Sequence, residues 1–291
     1  CLALYQYLKK CMPDKYIKVF LEKPADIFRE IKGFDEIDSV CSEDTVFDVF
    51  FCVDCAFDRL GESRKYFETA KKTINIDHHI SNQGCASINY IRPQTGSASE
   101  LIYDLIEREQ LDKELAKAIY IGIIHDTGVF QYSNTSPETL EKAARLISYG
   151  FDFPRLIQET FYQKTYKQTQ ITGRALVESM RFLDGRCIVS CVTRTMLEFY
   201  GAEPADLDGI VNHLRNIKDV DCAIFMYQTD TLEYKVSMRS NEKVDVSRVA
   251  GYFGGGGHKR AAGCTMKGSF YDCVNNLSLH INNQLEGQEE C

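Results

Sequence analysis

The sequence predicts an α/β fold, with a parallel-sheet N-terminal domain that carries helices on both faces and a smaller mixed α/β C-terminal domain. Short apolar segments such as DVFFCVD (48–54) and TINID (73–77) alternate with helical segments, as they do in parallel sheets. The first of these is apolar almost throughout, which is typical of a strand buried on both faces. From about Asp184 strand-like segments predominate, which indicates the second domain.

Apolar spacing and helix-start signals predict the elements of the first domain. Residues 1–11 have the pattern of an amphipathic helix, and residues 15–21 that of a strand. Residues 24–31 predict a helix with Pro24 near its start. Beyond the strand at 48–54, the predicted helices are 61–72, 95–110, 112–130 and 135–150.

The second domain shows strand-like segments at 185–192, 221–228 and 233–240, with two helices between the first and the second. A helix over 244–253 then runs into GGGGHKRAAG (254–263). We therefore expect a first domain over 1–165, a connecting helix over 166–184 and a second domain over 185–291.

Composition excludes several classes of protein. The net charge of −8 argues against a protein that coats long nucleic acid or lies on an anionic membrane. No apolar run approaches the ~18 residues of a membrane helix. The 12 cysteines lack the spacing of a disulfide framework, and no signal peptide opens the chain. We therefore expect reduced thiols and a cytoplasmic protein.

Side chains of the types that bind metal ions follow three apolar segments. Asp54 ends one predicted strand, the triplet Asp77-His78-His79 ends the next, and Asp126 follows the strongly apolar part of the helix predicted over 112–130. Ligands of an open parallel sheet bind at the carboxyl ends of its strands, so these groups are expected at one rim. Mixed Asp and His ligands suit a transition metal such as Mn²⁺. Two cations ~3.5–4 Å apart would serve phosphoester hydrolysis.

Each of these residues has another interpretation. Asp54 would also serve as the cap of a following helix. His125-Asp126 is also found in the helical HD phosphohydrolases, although the strands that precede it argue against an all-helical fold. His213 and His280 stand in ordinary helical segments and are expected to be structural or solvated.

Four consecutive glycines, Gly254 to Gly257, precede a basic triplet. Glycine in a helix or strand costs roughly 0.5–1 kcal/mol per residue, so the run needs a reason. Gly255, Gly256 and Gly257 can bring the backbone close to an anion and aim N–H groups at it. Together with Arg239, His258 and Arg260, they predict a phosphate site. The alternative is a flexible linker.

Cys52 and Cys55 form a CxxC pair around Asp54. No second pair completes a zinc site. No clear helix opens at the pair, which argues against a redox motif of the usual kind.

Taken together and in order, these segments resemble the DHH superfamily of phosphoesterases. Asp77-His78-His79 matches the motif that names the family, FCVDC its second motif and GIIHDTGVF its fourth. Residues 236–263 are similar to the DHH-associated C-terminal domain. The layout looks most like the group of bifunctional oligoribonucleases and pAp phosphatases.

The resemblance implies a two-metal site, usually of manganese, with Mg²⁺ or Co²⁺ as alternatives. Asp54 would bridge both ions, and His78 and Asp126 would complete the shell of the second. His79 would contact the scissile phosphate, and Asp77 would orient an imidazole. From the second domain, Arg239, His258, Arg260 and the glycines would hold the substrate's other phosphate or terminal nucleotide.

The family's first motif, a His followed by D-x-D, is not found in the chain. The sequence begins inside its first helix without an N-cap or an initiator Met, so we expect the natural chain to begin earlier. We also expect this exact polypeptide to be a poor catalyst.

The resulting functional hypothesis is a metal-dependent phosphoesterase that acts on short RNA and nucleotides. It would degrade short oligoribonucleotides to mononucleotides and convert pAp to AMP. One alternative is hydrolysis of cyclic di-AMP or pApA, and another is a non-catalytic nucleotide-binding protein. An inorganic pyrophosphatase is disfavoured, because that family carries a different second domain.

Overall fold

The computed structural model describes residues Cys1–Gly287. It divides into two units, a first over Cys1–Gln163 and a second that begins at Lys164. Within residues 1–287, every helix is too short or too polar to cross a membrane. The predicted domain limits of 1–165 and 185–291 stay a prediction.

The first unit alternates helices with parallel strands. Its helices are α1 (Leu2–Cys11), α2 (Arg64–Thr69), α3 (Ala98–Leu105), α4 (Lys113–Asp126), α5 (Pro137–Ile147) and α6 (Phe153–Ile157). Its strands are β1 (Val19–Phe20), β2 (Ile37–Asp38), β3 (Val49–Val53), β4 (Lys72–Asp77) and β5 (Ile88–Ile91).

Strands β3, β4 and β5 form a parallel sheet in that order. Val53 lies opposite Ile76, and Asp77 lies opposite Ile91, so the strands end at nearly the same level. Parallel pairing places their carboxyl ends at one edge. The residues that follow β3 and β4 therefore meet there.

Helices cover both faces of this sheet. On one face, Ile76 belongs to a core formed with the apolar residues of α3 and α4. On the other, Phe50 and Cys52 pack with Tyr66 and Phe67 of α2. Each fully buried large side chain of these cores contributes about 1.5–3 kcal/mol, so the sheet edge is held rigidly.

Helix α4 delivers its last residue to the same region. It begins at the cap Asp112, whose side chain accepts from Leu115 N at 3.0 Å. Its central residues Ile119 and Ile123 are fully buried. The helix ends at Asp126, and Gly128 adopts a φ of +58° that turns the chain away.

The second unit has its own sheet. Its helices are α7 (Tyr166–Val177), α8 (Arg194–Tyr200), α9 (Ile210–Arg215), α10 (Val246–Tyr252) and α11 (Phe270–Leu285). Its strands are β6 (Met180–Phe182), β7 (Cys187–Val192), β8 (Cys222–Asp230), β9 (Glu233–Ser240), β10 (Gly256–His258) and β11 (Ala261–Lys267). They run in the order β10-β11-β9-β8-β7-β6, and only β7 and β8 pair in parallel.

Two cores enclose this mixed sheet. One lies beneath all of β7, β8, β9 and β11, where residues such as Val236 and Met238 meet α10 and α11. The other forms only over β7 and β8, where Ile188 and Phe225 meet α7 and α9. On the face that α7 and α9 cover, strands β9, β11 and β10 therefore contribute no residue to either core within residues 1–287. We call this the open face.

Local structure differs from the sequence prediction in three places. The helix predicted over 24–31 is a single 3₁₀ turn, Asp26–Phe28, because Arg29 N–H donates three residues back, to Asp26 O at 3.0 Å, instead of four. The connecting helix predicted over 166–184 ends at Val177. The turn at Gly185 then lets Met180–Phe182 pair with β7.

The third difference concerns the glycines, since Gly256 and Gly257 form strand β10 instead of a loop. A Cβ at Gly255 would lie 2.2 Å from the carbonyl oxygen of Gly263 and 2.5 Å from Cys264 Cβ. A Cβ at Gly257 would lie 2.4 Å from the oxygen of Ala261, and its φ is +146°. These two glycines are required for close approach of the backbone to β11.

We expect Gly255→Ala to destabilise the second unit by about 1–3 kcal/mol, because the new methyl group overlaps the backbone of β11. Thermal or urea unfolding measures this. Gly256→Ala is the matched control, since nothing lies within 4 Å of its Cβ position. It should change the free energy of unfolding by less than about 0.5 kcal/mol. Equal stability of the two variants would contradict the packing argument.

Candidate metal centre

The carboxyl edge of the three-stranded sheet gathers the acidic and imidazole groups of the first unit. Asp54 follows β3 with a left-handed φ of 62°, a conformation that Asp tolerates better than most residues. Its N–H donates to Ile76 O at 2.9 Å, which continues the ladder by one residue. His78 and His79 follow β4 directly. The turns after β3 and β4 thus direct the side chains of Asp54, His78 and His79 to the same edge of the sheet.

Four residues of this edge could share a cation. Asp54, Asp77, His78 and His79 each offer one ligand atom, and these atoms lie within 4.8 Å of one another. Asp126 joins from the end of α4, with its Oδ2 3.5 Å from His78 Nε2. The structure therefore brings together all five first-unit residues that the sequence predicts for the site.

The imidazole of His78 is oriented for a metal ion. Its Nδ1 lies 3.1 Å from the carbonyl oxygen of Thr95, so the neutral ring donates there and presents Nε2 to the site. Nε2 is buried and makes no aligned hydrogen bond, with Asp54 Oδ1 at 3.3 Å. A ring held by a backbone carbonyl, with its other nitrogen unpaired among carboxylates, fits a cation ligand.

Charge at the site is unbalanced without a cation. Burial and, after it, the charge of Asp54 raise the pKa of Asp126 to about 6. Burial opposes protonation of His78, but Asp54 and Asp126 outweigh it and raise its pKa to about 9. Carboxylates in this arrangement repel one another, and a divalent cation removes that repulsion. The donor set therefore fits a metal ion.

Asp77 is buried and fully engaged in hydrogen bonds. Its Oδ1 accepts from His78 N at 2.7 Å, from His79 N at 3.1 Å and faces His79 Nδ1 at 2.7 Å. Its Oδ2 accepts from Asn82 Nδ2. Burial would raise its pKa, but the bonds from Asn82 and His79 lower it. The Asp77 carboxylate therefore fixes the backbone of both histidines and the imidazole ring of His79.

Two buried amides, Asn75 and Asn82, support the Asp77 carboxylate and were not predicted from the sequence. Asn82 donates to Asp77 and to Asn75 Oδ1, the latter at 2.8 Å. Asn75 donates to the carbonyl oxygens of Cys52 and Cys55 at 3.2 and 3.0 Å. A signal existed in the sequence: Asn75 lies within a strand whose other central residues are apolar, where a polar residue needs a partner.

The remaining histidines do not belong to this centre. His125 lies edge-on to Phe28 and Phe161, and its Nε2 is 3.2 Å from Thr160 Oγ1. The HD alternative is not favoured by this packing. His280 stacks on Tyr252 at 4.1 Å between ring centroids. His213 lies in the last turn of α9.

The predicted anion site of the second unit is a sheet face. Ala261 pairs with Arg239 on one side and with His258 on the other, so the three residues form one row across β9, β11 and β10. Directly paired residues project from the same face. The neighbouring pair Gly256 and Gly263 has no side chains to fill that face.

The glycine run itself is only partly available to an anion. Gly254 N–H and Gly255 N–H donate to the oxygens of Gly251 and Ala250 at the end of α10. The predicted use of Gly255 N–H for a ligand is therefore wrong, because that donor closes the helix. Arg260 lies in the turn between β10 and β11, where it is exposed.

We expect Asp77→Asn to weaken Mn²⁺ binding by roughly 10–100-fold, because an amide cannot accept from both histidines and Asn82 as the carboxylate does. Buried donors left unpaired should also lower the free energy of unfolding by about 1–3 kcal/mol. Isothermal titration with Mn²⁺ alone measures the first effect. Asp48→Asn is the control: the Asp48 side chain is 81% exposed just before β3, at the opposite end of that strand from Asp54, and forms a surface ion pair with Lys71. Wild-type Mn²⁺ affinity in Asp77→Asn would contradict the anchoring role.

Comparison with known proteins agrees with this geometry. The profile of the DHH family, N-terminal domain, matches residues 1–123, and that of the DHHA1 domain matches residues 184–287. The bifunctional oligoribonuclease and PAP phosphatase NrnA of Thermus thermophilus is 32% identical over 197 residues, which is 67% of this chain and 59% of the relative. The aligned stretch is thus less than two thirds of that relative's length. The protein of the same name from Bacillus subtilis is 26% identical over 270 residues, or 91% of this chain and 83% of the relative.

A solved structure extends the agreement over both units. The crystal structure of an exopolyphosphatase-related protein from Bacteroides fragilis has a TM-score of 0.89 and 26% identity, and it covers 99% of this chain and 88% of its own. The two family profiles together account for most of the sequence, one in each unit. The chain therefore belongs to the DHH family and carries a DHHA1 domain in its second unit.

Proposed function

We propose that the protein is a metal-dependent phosphoesterase that degrades short oligoribonucleotides to mononucleotides and converts pAp to AMP. One observation carries the proposal. Carboxylate oxygens of Asp54 and Asp126 lie 3.3 and 3.5 Å from the unpaired Nε2 of His78, on the edge where parallel sheets bind ligands. Relatives named for these two activities match both units and support this choice of substrates.

Asp54, His78 and Asp126 would hold the metal ion. The mixture of two carboxylates and one imidazole favours Mn²⁺ over Ca²⁺, with Mg²⁺ and Co²⁺ as the other candidates. A bound divalent cation supplies an acidified water nucleophile and neutralises phosphate charge. Asp54 is 45% exposed and keeps one carboxylate oxygen outside the contact with His78, which would suit a residue shared by two ions.

His79 would act on the scissile phosphate. Its Nδ1 is fixed 2.7 Å from the buried Asp77 carboxylate, and 26% of its side chain is exposed. The hydrogen bond to Asp77 fixes the orientation of the ring, which can then donate to a phosphate oxygen that gains negative charge. Asp77 is then a positioning residue that acts through His79 and His78.

The open sheet face of the second unit would bind the rest of the substrate. Arg239 and His258 lie two strands apart, about 10 Å, across Ala261. The neighbouring pair Gly256 and Gly263 leaves space beside this row, and Arg260 follows in the turn between β10 and β11. Such a small, basic surface in a chain of net charge −8 suits one phosphate and a nucleoside, but not a long polyanion.

The test is hydrolysis by the natural protein with Mn²⁺ and four substrates: pAp, pApA, cyclic di-AMP and a five-nucleotide RNA. We expect AMP from pAp and mononucleotides from the RNA. His78→Ala should reduce turnover to background, because it removes the central ligand. His213→Ala, in helix α9 of the second unit, is the control and should leave the rate unchanged. Nucleotide binding without Mn²⁺-dependent hydrolysis would instead identify a non-catalytic binding protein.

We expect His79→Gln to lower kcat by roughly 10²–10³-fold while Mn²⁺ affinity stays within about threefold of wild type, because the residue acts on phosphate charge. Steady-state kinetics and Mn²⁺ titration separate the two effects. If His79→Gln loses Mn²⁺ binding as completely as His78→Ala, His79 is a metal ligand and its proposed role is wrong.

We expect Arg260→Ala to raise KM for pAp roughly tenfold or more with kcat little changed, since a charge-assisted phosphate contact contributes about 1.5–3 kcal/mol. Arg181→Ala provides a control, because Arg181 donates to Gly185 O at 2.9 Å in the β6–β7 turn. An unchanged KM in Arg260→Ala would exclude this residue from substrate binding.

A further inference from the structure

A pair of thiols encloses the metal ligand Asp54. Cys52 Sγ lies 3.4 Å from Cys55 Sγ, and the Cys52 thiol donates to the carbonyl oxygen of Cys55 at 3.0 Å. Sequence analysis argued against a redox role because Asp54 stands between the two and no helix opens there. The structure keeps both of those features and nevertheless brings the sulfur atoms into contact.

The same thiols are connected to the anchor of the histidines. Cys55 O accepts from Asn75 Nδ2 at 3.0 Å, and Asn75 Oδ1 accepts from Asn82. Asn82 in turn donates to Asp77, which holds His78 and His79. A displacement of Cys55 is therefore transmitted to both sides of the metal centre, through Asp54 along the chain and through the two amides.

A small reagent can reach this region. Cys52 is only 1% exposed, but Cys55 is partly exposed. A third thiol, Cys85, interacts with Cys52 and lines a cavity of about 620 Å³ together with Phe57, Phe67 and Lys72. The thiol pair thus differs from Cys187 and Cys222, which are fully buried in the core of the second unit.

We propose that Cys52 and Cys55 form a reversible disulfide that weakens metal binding at the neighbouring centre. The formation of the bond rests on the thiol geometry alone, and only its consequence for turnover rests on the proposed function. The site is a modification site, and the reagents that it takes are peroxides and small-molecule disulfides.

The oxidation balances with hydrogen peroxide as the oxidant. The more exposed Cys55 sulfur attacks one peroxide oxygen, which gives a sulfenic acid and releases water. The Cys52 sulfur then attacks the Cys55 sulfur, forms the S–S bond and releases the hydroxyl as a second water. Two thiols lose two electrons and two protons, and the peroxide is reduced to two waters. A dithiol reductant reverses the step by exchange.

Bond formation must distort the turn that carries Asp54. The sulfur atoms move from 3.4 Å to about 2.0 Å apart, and the Cys52 thiol no longer donates to Cys55 O. Asp54 already occupies a left-handed conformation between them, with φ of 62°. Because only Val53 and Asp54 separate the two cysteines, the Asp54 carboxylate is expected to leave the position beside His78.

The first experiment detects the bond in metal-free protein, before any substrate is used. Protein treated with peroxide is blocked with N-ethylmaleimide and cleaved on the amino side of aspartate. Cleavage at Asp54 separates fragment 48–53 from fragment 54–57, so the two stay joined only through a Cys52–Cys55 disulfide. Cys41 and Cys85 fall in other fragments. We expect the joined species, short of two hydrogens, and its loss with dithiothreitol.

The second experiment measures Mn²⁺ binding by calorimetry on reduced and oxidised protein. We expect oxidation to weaken binding by at least about tenfold, the range seen when groups that orient metal ligands are altered. Cys55→Ser should show the same affinity before and after peroxide. Cys11→Ser, an exposed cysteine of α1, should keep the full sensitivity of the wild type.

Two results would overturn the inference. One is peroxide-treated protein with free Cys52 and Cys55, or with Cys52 joined to Cys85 instead. The other is a Cys52–Cys55 disulfide that leaves Mn²⁺ affinity unchanged. If the disulfide forms and weakens Mn²⁺ binding but no phosphoester is hydrolysed, only the proposed function fails.

Discussion

The buried carboxylate of Asp77 is the constraint on which the metal centre depends. It lies at the last residue of β4, opposite Ile91, and is entirely inaccessible to solvent. Burial of an ionised group is costly unless hydrogen bonds replace its water. Here the replacements come from the backbone N–H groups of His78 and His79, from the imidazole of His79 and from the amide of Asn82. The cost of burying the charge is therefore offset only when the turn that carries both histidines is in place, which couples folding of the strand end to order in the site.

The sheet fixes the other half of the centre. The N–H of Asp54 extends the β3–β4 ladder to Ile76 O and so restrains the Asp54 backbone beside His78. Asp126 is positioned independently, by a helix whose buried face includes Ile119 and Ile123. Three segments that are distant in sequence thus reach one imidazole nitrogen through secondary structure that is already stabilised elsewhere. The centre itself can then retain mutually repelling carboxylates without unfolding the protein.

Sequence alone was sufficient for the fold class. It also selected five first-unit residues that the structure places close together, and their roles stay a prediction. The apolar runs of β3 and β4 identify buried parallel strands, and a parallel sheet leaves one edge for Asp54 and the DHH triplet. It was less informative where the local pattern is ambiguous. The strand at Gly256–His258 has no side-chain alternation to reveal it, because its glycines serve contact with β11. The amides Asn75 and Asn82 are ordinary in sequence and acquire their role only through burial.

The candidate functional residues of the two units are supported by separate hydrophobic cores. The first unit supports the ligands with α3, α4 and one sheet, whereas Arg239 and His258 rest on a sheet packed against α10 and α11. Substitutions on the open face of β9, β11 and β10 need not disturb Asp77 or its partners. If this face binds the nucleotide as proposed, substitutions of its small residues would change which nucleotide is bound while the residues around Asp77 stay the same. Substrate recognition and hydrolysis would then be able to change independently of each other.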